Sequence, residues 1–254
     1  MNLLKSLLLI ICYFLLLSSA FAEAGAHIVF EKPENTNESA IQKNLQSSDD
    51  IESVVAFIND NFRLPTPLDF VFGGEDGPLY DGQQNEIVIP YSFIQEIKNR
   101  FIKAKYSETG LTANEAAMDA LLHTMFHELA HSFVLMYDLP VLGKEEDAAD
   151  ALATVLLIEF FENGQEISIS AADLFDLESD DTKVLEEEDF WDEHSLDVQR
   201  FYSTLCLVYG SDPEEYAYLL KEGDLTEEWA ERCVIEYENT SRSWFSLLEP
   251  HIKL

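Results

Sequence analysis

Cations are scarce in this chain. It carries 15 Lys plus Arg against 49 Asp plus Glu, a formal charge of −34 over 254 residues. Recognition of a phosphate backbone needs clustered cations, so the deficit excludes a general nucleic-acid binder. Such acidity speaks first for a solvated surface, and it would also steer cationic peptides toward the protein. Cysteine is nearly as rare, with three in all. Long apolar runs are absent except at the start, and no internal repeat is found.

The one apolar run, Leu7 to Leu17, follows a single cation, Lys5, and precedes the small residues Ser18, Ser19, Ala20 and Ala22. This is the pattern of a signal peptide over residues 1–22, with Ala20-Phe21-Ala22 as the cleavage sequence. The run is short for a membrane span and no lipobox cysteine stands at the cleavage point. The expectation is an exported protein, periplasmic or secreted, without stable membrane association after cleavage. Cys12 leaves with the leader, so Cys206 and Cys233 remain, an even number in an oxidising compartment. A disulfide between them would contribute on the order of 3 kcal/mol. Two buried free thiols are the alternative, and neither reading puts a cysteine in an active site.

About 230 residues remain, enough for one well-buried domain. Residues 31–50 are polar and lack apolar periodicity, so 23–50 reads as a flexible lead-in and 51–254 as the domain. A helix is expected over 51–62, then strands over 68–72 and 86–90 on either side of a Gly- and Asp-rich turn region. Thr112 and Glu115 form a capping box that opens a long helix, which Pro140 and Gly143 end. A second helix is expected over 144–161, an acidic stretch of undetermined structure over 173–193, and further helices near 195–208, 213–221 and 227–238. The terminal segment with Trp244 and Phe245 should pack back on the domain.

The long helix carries His127-Glu128-Leu129-Ala130-His131. Residues four apart on a helix differ by about 40° around its axis, so both imidazoles leave one face and can grip one metal ion. Glu128 lies about 60° from His131, close enough to reach a water at that ion without binding it. Two histidines on Zn2+ with a carboxylate as general base is the geometry of zincins. A zinc catalytic site takes three protein ligands and leaves one position open. Glu145, Glu146, Asp147 and Asp150 open the next helix. Glu146 and Asp150 share a face, which permits Glu146 to bind the metal while Asp150 accepts a hydrogen bond from a ligand histidine. Glu145 is the alternative third ligand. Ala148, Ala149, Ala151 and Ala153 suit close helix packing as well as helix propensity. His123, one turn before His127, is either a group behind the ligands or an ordinary core histidine.

His127-Glu128-Leu129-Ala130-His131 followed by Glu146-Asp147-Ala148-Ala149-Asp150 resembles the gluzincin arrangement of thermolysin-like peptidases, although the intervening segment is shorter than in thermolysin. More closely, the chain resembles a bacterial metallopeptidase family of unknown function, through Glu86 to Tyr91, GKEEDAADALAT, DEHSLDVQRFYSTLCLVYGSDP, Cys233 and Trp244. The resemblance implies a zinc metallopeptidase acting on a peptide or protein and supplies no particular substrate. It also implies a cationic or hydrogen-bonding group across the cleft to steady an oxyanion, for which His194 is the first candidate and Arg200 the second. The strand at 86–90 would offer an edge to an extended substrate, although a fully paired core strand would show the same sequence.

The expected class is therefore α+β and mainly helical: a zincin-like fold with a small sheet beside the active-site helix and a helical C-terminal part. Two other readings stand beside peptide hydrolysis. One is an exported metal-binding or structural module without turnover. The other, a calcium-stabilised acidic domain, is disfavoured because residues 173–193 lack the Gly-punctuated spacing of a calcium loop.

Overall fold

Short apolar segments at 68–72 and 86–89 make the centre of the sheet. The computed structural model describes residues 24–182, 184–222 and 225–253, so the expected signal peptide lies outside the described residues. Strands β1 (Ala26–Phe30), β2 (Leu68–Phe72), β3 (Leu79–Asp81) and β4 (Glu86–Ile89) stand in the order β1-β2-β4-β3. The first three in that order run parallel, and β3 is antiparallel to β4. Phe70 pairs with Ile87 and Phe72 with Ile89, so four fully buried side chains line one face. Their period of two commits that face to the core. The order also corrects an expectation: β4 is paired on both sides, and the edge strands are β1 and β3. Only three residues long within a Gly-rich stretch, β3 lacks the apolar alternation that reveals a strand.

The flexible lead-in expected for 23–50 is also corrected, because residues 26–46 form part of the fold. Asn59 donates to the carbonyl of Ala26 and accepts its N–H, which staples β1 to helix α2 (Asp50–Asn61). Helix α1 (Thr36–Gln46) is capped by Asn35, whose side chain accepts the N–H groups of Asn37 and Glu38. Leu45 is its one buried residue, with Ile41 packed against the same core. Two apolar side chains four apart suffice to dock a capped helix, yet are too few to show periodicity in a polar sequence.

Helix α3 (Tyr91–Lys103) leads to α4 (Ala113–Tyr137), which forms as expected. Thr112 Oγ1 accepts the N–H of Glu115 at 3.2 Å and Glu115 returns a carboxylate to the N–H of Thr112 at 2.8 Å. Such a box contributes about 1 kcal/mol. The helix ends where Asp138 turns left-handed, with φ 53° and ψ 47°. Leu121, Met125, Phe126, Leu129 and Phe133 are fully buried against the Phe and Ile side chains of the sheet, so α4 is the central helix of the main core. Helix α5 (Glu145–Phe160) packs beside it, with Ala149 and Ala153 buried, in keeping with close approach.

A second apolar cluster joins α6 (Gly164–Ser179), α7 (Asp197–Ser211) and α9 (Glu227–Leu248), through Phe175, Phe201, Leu205, Val208 and Cys233. The first third of the stretch left undetermined, to Ser179, thus belongs to α6, and α9 extends ten residues past the expected end at Glu238. In place of a helix over 213–221, only α8 (Tyr218–Glu222) forms. The disulfide Cys206–Cys233 ties α7 to α9 as expected. At Gly210 these helices approach so closely that a Cβ would lie 2.2 Å from the Cys233 carbonyl oxygen. Trp244 and Leu248 reach the main core, and a bridge between Phe62 and Ile252 brings the C-terminus back to α2. No described helix is long and apolar enough to cross a membrane.

Candidate metal centre

Because α4 stays regular through the motif, His127 and His131 meet side by side, with their Nε2 atoms 3.2 Å apart. Glu146, from the first turn of α5, brings Oε2 to 3.1 Å from one and 3.2 Å from the other. Three donors on a zinc ion at about 2.0–2.1 Å in tetrahedral array stand roughly 3.3 Å apart. The triangle therefore fits a small tetrahedral ion, and two imidazoles with one carboxylate suit zinc chemistry.

The atoms behind the donors are ordered too. His127 Nδ1 lies 2.7 Å from Asp150 Oδ1, leaving Nε2 for the cleft. Arg200 grips the same carboxylate through Nε at 2.7 Å and Nη2 at 3.0 Å, with its guanidinium 3.9 Å above the Phe175 ring. Burial pushes the Asp150 carboxyl up, but the bonds to His127 and Arg200 outweigh it and hold that group well below the usual carboxylate range. This corrects the expectation for Arg200. It does not face the donors, because α7 presents it to the back of α5, where it neutralises a buried carboxylate.

Glu145, the alternative third ligand, is corrected similarly. Its Oε1 lies 2.8 Å from His131 Nδ1, so it orients that ring from behind. Adjacent residues on a helix point about 100° apart, and only Glu146 turns toward both Nε2 atoms. Burial lowers the His127 pKa, but Asp150 and then Glu146 raise it further, to about 9. Burial likewise opposes the anion of Glu146, yet hydrogen bonds to His127, His131 and His194 keep it ionised far below its ordinary range.

Glu128 is 7 % exposed and lines the same cleft, a space of about 390 Å³ between α4 and β3. Its carboxyl is raised by burial, an effect partly offset by His127 and His131. Pro78, Leu79, Tyr80 and Gly82 form the opposite wall, so the edge strand borders the donors. His194, from the loop before α7, enters the cleft and reaches Glu146 Oε2 through Nε2 at 3.0 Å. That hydrogen bond raises its pKa, with burial opposing. His123 is an ordinary core histidine: it contacts Thr154 Oγ1 at 3.2 Å and the Phe175 ring, and burial lowers its pKa to about 4.

Sequence reasoning missed Glu145 as the partner of His131, the wall formed by β3, and Lys144, whose Nζ bonds the loop bearing His194. The first was within reach, since a ligand histidine needs an acceptor on its other nitrogen and one carboxylate had already been given to His127. The other two depend on loop paths that no local pattern encodes.

No curated protein and no solved structure matches the chain. A family model described as putative metallopeptidase matches residues 30–248, which include β2 to β4 and every member of the cluster. The chain therefore belongs to that family, DUF4344.

Proposed function

We propose that the protein is an exported zinc-dependent peptidase of gluzincin type. The observation that carries this reading is the 3.1–3.2 Å triangle of His127, His131 and Glu146 opening onto a cleft that Glu128 also lines. Export is supported by the leader-like N-terminus and by the Cys206–Cys233 bridge.

His127 and His131 through Nε2, and Glu146 through Oε2, would hold Zn2+, which when bound would supply charge to polarise the scissile carbonyl and acidify the attacking water. Glu128, with its carboxyl raised by burial, takes the proton of that water as the oxygen adds to the carbonyl carbon. The same carboxyl delivers the proton to the leaving nitrogen as the C–N bond breaks, giving a carboxylate and an amine. His194, which lines the same cleft as Glu128, donates a hydrogen bond to the developing oxyanion. An extended peptide lies along β3, which among the described strands pairs only with β4 and so leaves one edge for a guest strand.

The test measures zinc per chain and hydrolysis of a mixed peptide library, for the wild type and for Glu128→Gln. Zinc near one per chain with turnover lost in the variant is the expected result. Zinc retained without wild-type turnover would instead support a metal-binding module, and absence of zinc would refute both.

A further inference from the structure

The loop that presents His194 lacks the usual means of holding a catalytic side chain. Between α6 and α7 the described residues form only a short 3-10 turn, Glu188–Phe190, and none of those from 180 to 196 is buried. Apolar packing therefore does not place His194, and polar bonds must. Two of them come from one side chain. Lys144 Nζ donates to the carbonyl of Asp192 and to the carbonyl of His194, each at 2.9 Å. A third tie lies beside them, where Ser195 Oγ donates to Asp147 Oδ2 at 2.9 Å. Inside the loop, the N–H of His194 donates to Asp192 Oδ1 at 2.9 Å, which rigidifies the turn that Lys144 grips.

Lys144 is the N-cap residue of α5, two positions before Glu146. The helix start that supplies the third donor of the metal cluster therefore also grips the backbone on both sides of Glu193, next to His194. From this juxtaposition we propose that Lys144 is a positioning residue: it fixes His194 at working distance from the cluster and touches neither substrate nor metal. The inference rests on the peptidase reading for its kinetic consequence and on geometry alone for the placement of His194. Misplacement of a catalytic group by about 1 Å can cost 10²-fold in rate. Loss of the Lys144 bonds should therefore act on turnover, while the donor triangle, made by other side chains, stays whole.

The test compares Lys144→Met, Lys144→Arg, His194→Ala and the Lys144→Met/His194→Ala double variant. On the best-cleaved member of a quenched-fluorescent peptide library, Lys144→Met should lower kcat by about ten- to a hundredfold with KM changed less than about twofold. Zinc content should stay constant, Lys144→Arg should recover most of the loss, and the lysine substitution should cost nothing further once His194 is gone. Independently of turnover, the imidazole nitrogen signals of His194 in the ¹⁵N-histidine-labelled protein should shift and broaden in Lys144→Met, while those of His123, His127 and His131 hold. His194 signals that do not move, or additive effects in the double variant, would overturn the proposal. A wild type without turnover would instead count against the peptidase reading, and the nitrogen signals would still decide the role of Lys144. Should Lys144→Met lose its helical circular dichroism, Lys144→Gln, which keeps a neutral donor, takes its place in both measurements.

Discussion

Replacing Asp150 by Asn tests whether the second layer of the cluster both stabilises the fold and tunes the donors. Asp150 and Arg200 keep only 10 % and 15 % side-chain exposure, and the carboxylate also holds His127 Nδ1 at 2.7 Å. Removing one member of a buried pair costs about 3–5 kcal/mol, because the other charge stays buried without its partner. Asp197, 3.8 Å from Arg200, is too far to take over. At about 2–4 °C per kcal/mol for a domain of this size, the melting temperature should fall by roughly 6–20 °C. Zinc affinity should fall about 10- to 100-fold as His127 loses a charged acceptor. Thermal unfolding followed by circular dichroism and a competitive zinc titration measure the two losses. A double variant separates them: Asp150→Leu with Arg200→Met removes both charges, so it should recover most of the stability and none of the affinity. A fall in melting temperature under about 2 °C for Asp150→Asn, or full zinc affinity in the double variant, would refute the reasoning.

Ligand rank is checked by zinc titration of Glu146→Ala and Glu145→Ala, in which the first should weaken binding far more and the second by about tenfold, as expected for a residue behind a ligand. Replacing both Cys206 and Cys233 by Ser frees a loop with sequence separation 27, and should lower stability in urea by about 3.5 kcal/mol. A midpoint no different from that of the wild type would contradict this. Half-buried carboxyls give the protein a pH slope. Burial raises Asp119 to about 6 and Glu178 to about 7, the latter with Asp197 adding to the effect and Arg100 opposing it. A raised folded-state pKa means the folded chain binds protons more tightly, so this contribution is full below about pH 4 and is lost as pH rises to 7. Asp119→Asn should flatten the slope and stabilise the protein at pH 7 by roughly 1–3 kcal/mol, and an unchanged slope between pH 4 and 7 would count against it.

Legibility followed the range of the interaction. Two histidines four apart on a capped apolar helix must share a face whatever surrounds them, so the pairing of His127 with His131 was readable at once. Glu146 and Asp150 share a face for the same reason. β1, β3 and α1 were not legible as elements. β1 is held by pairing with distant β2, β3 is a three-residue arm of a hairpin with β4, and α1 is held by an Asn cap and Leu45, none of which leaves a run of periodic residues.

What the sequence by itself determined is the inventory of the site and the helices that carry it, since capping, periodicity and i,i+4 spacing act within a few residues. The tertiary structure decided which partner each group faces: Glu145 behind His131, Arg200 behind Asp150 instead of across the cleft, β3 as the edge strand beside the cleft, and Lys144 on the loop of His194. Those assignments depend on how α4, α5 and α7 are rotated against one another and on the path of an unburied loop. Both are fixed by packing and hydrogen bonds between residues far apart in the chain, on which the local pattern is silent.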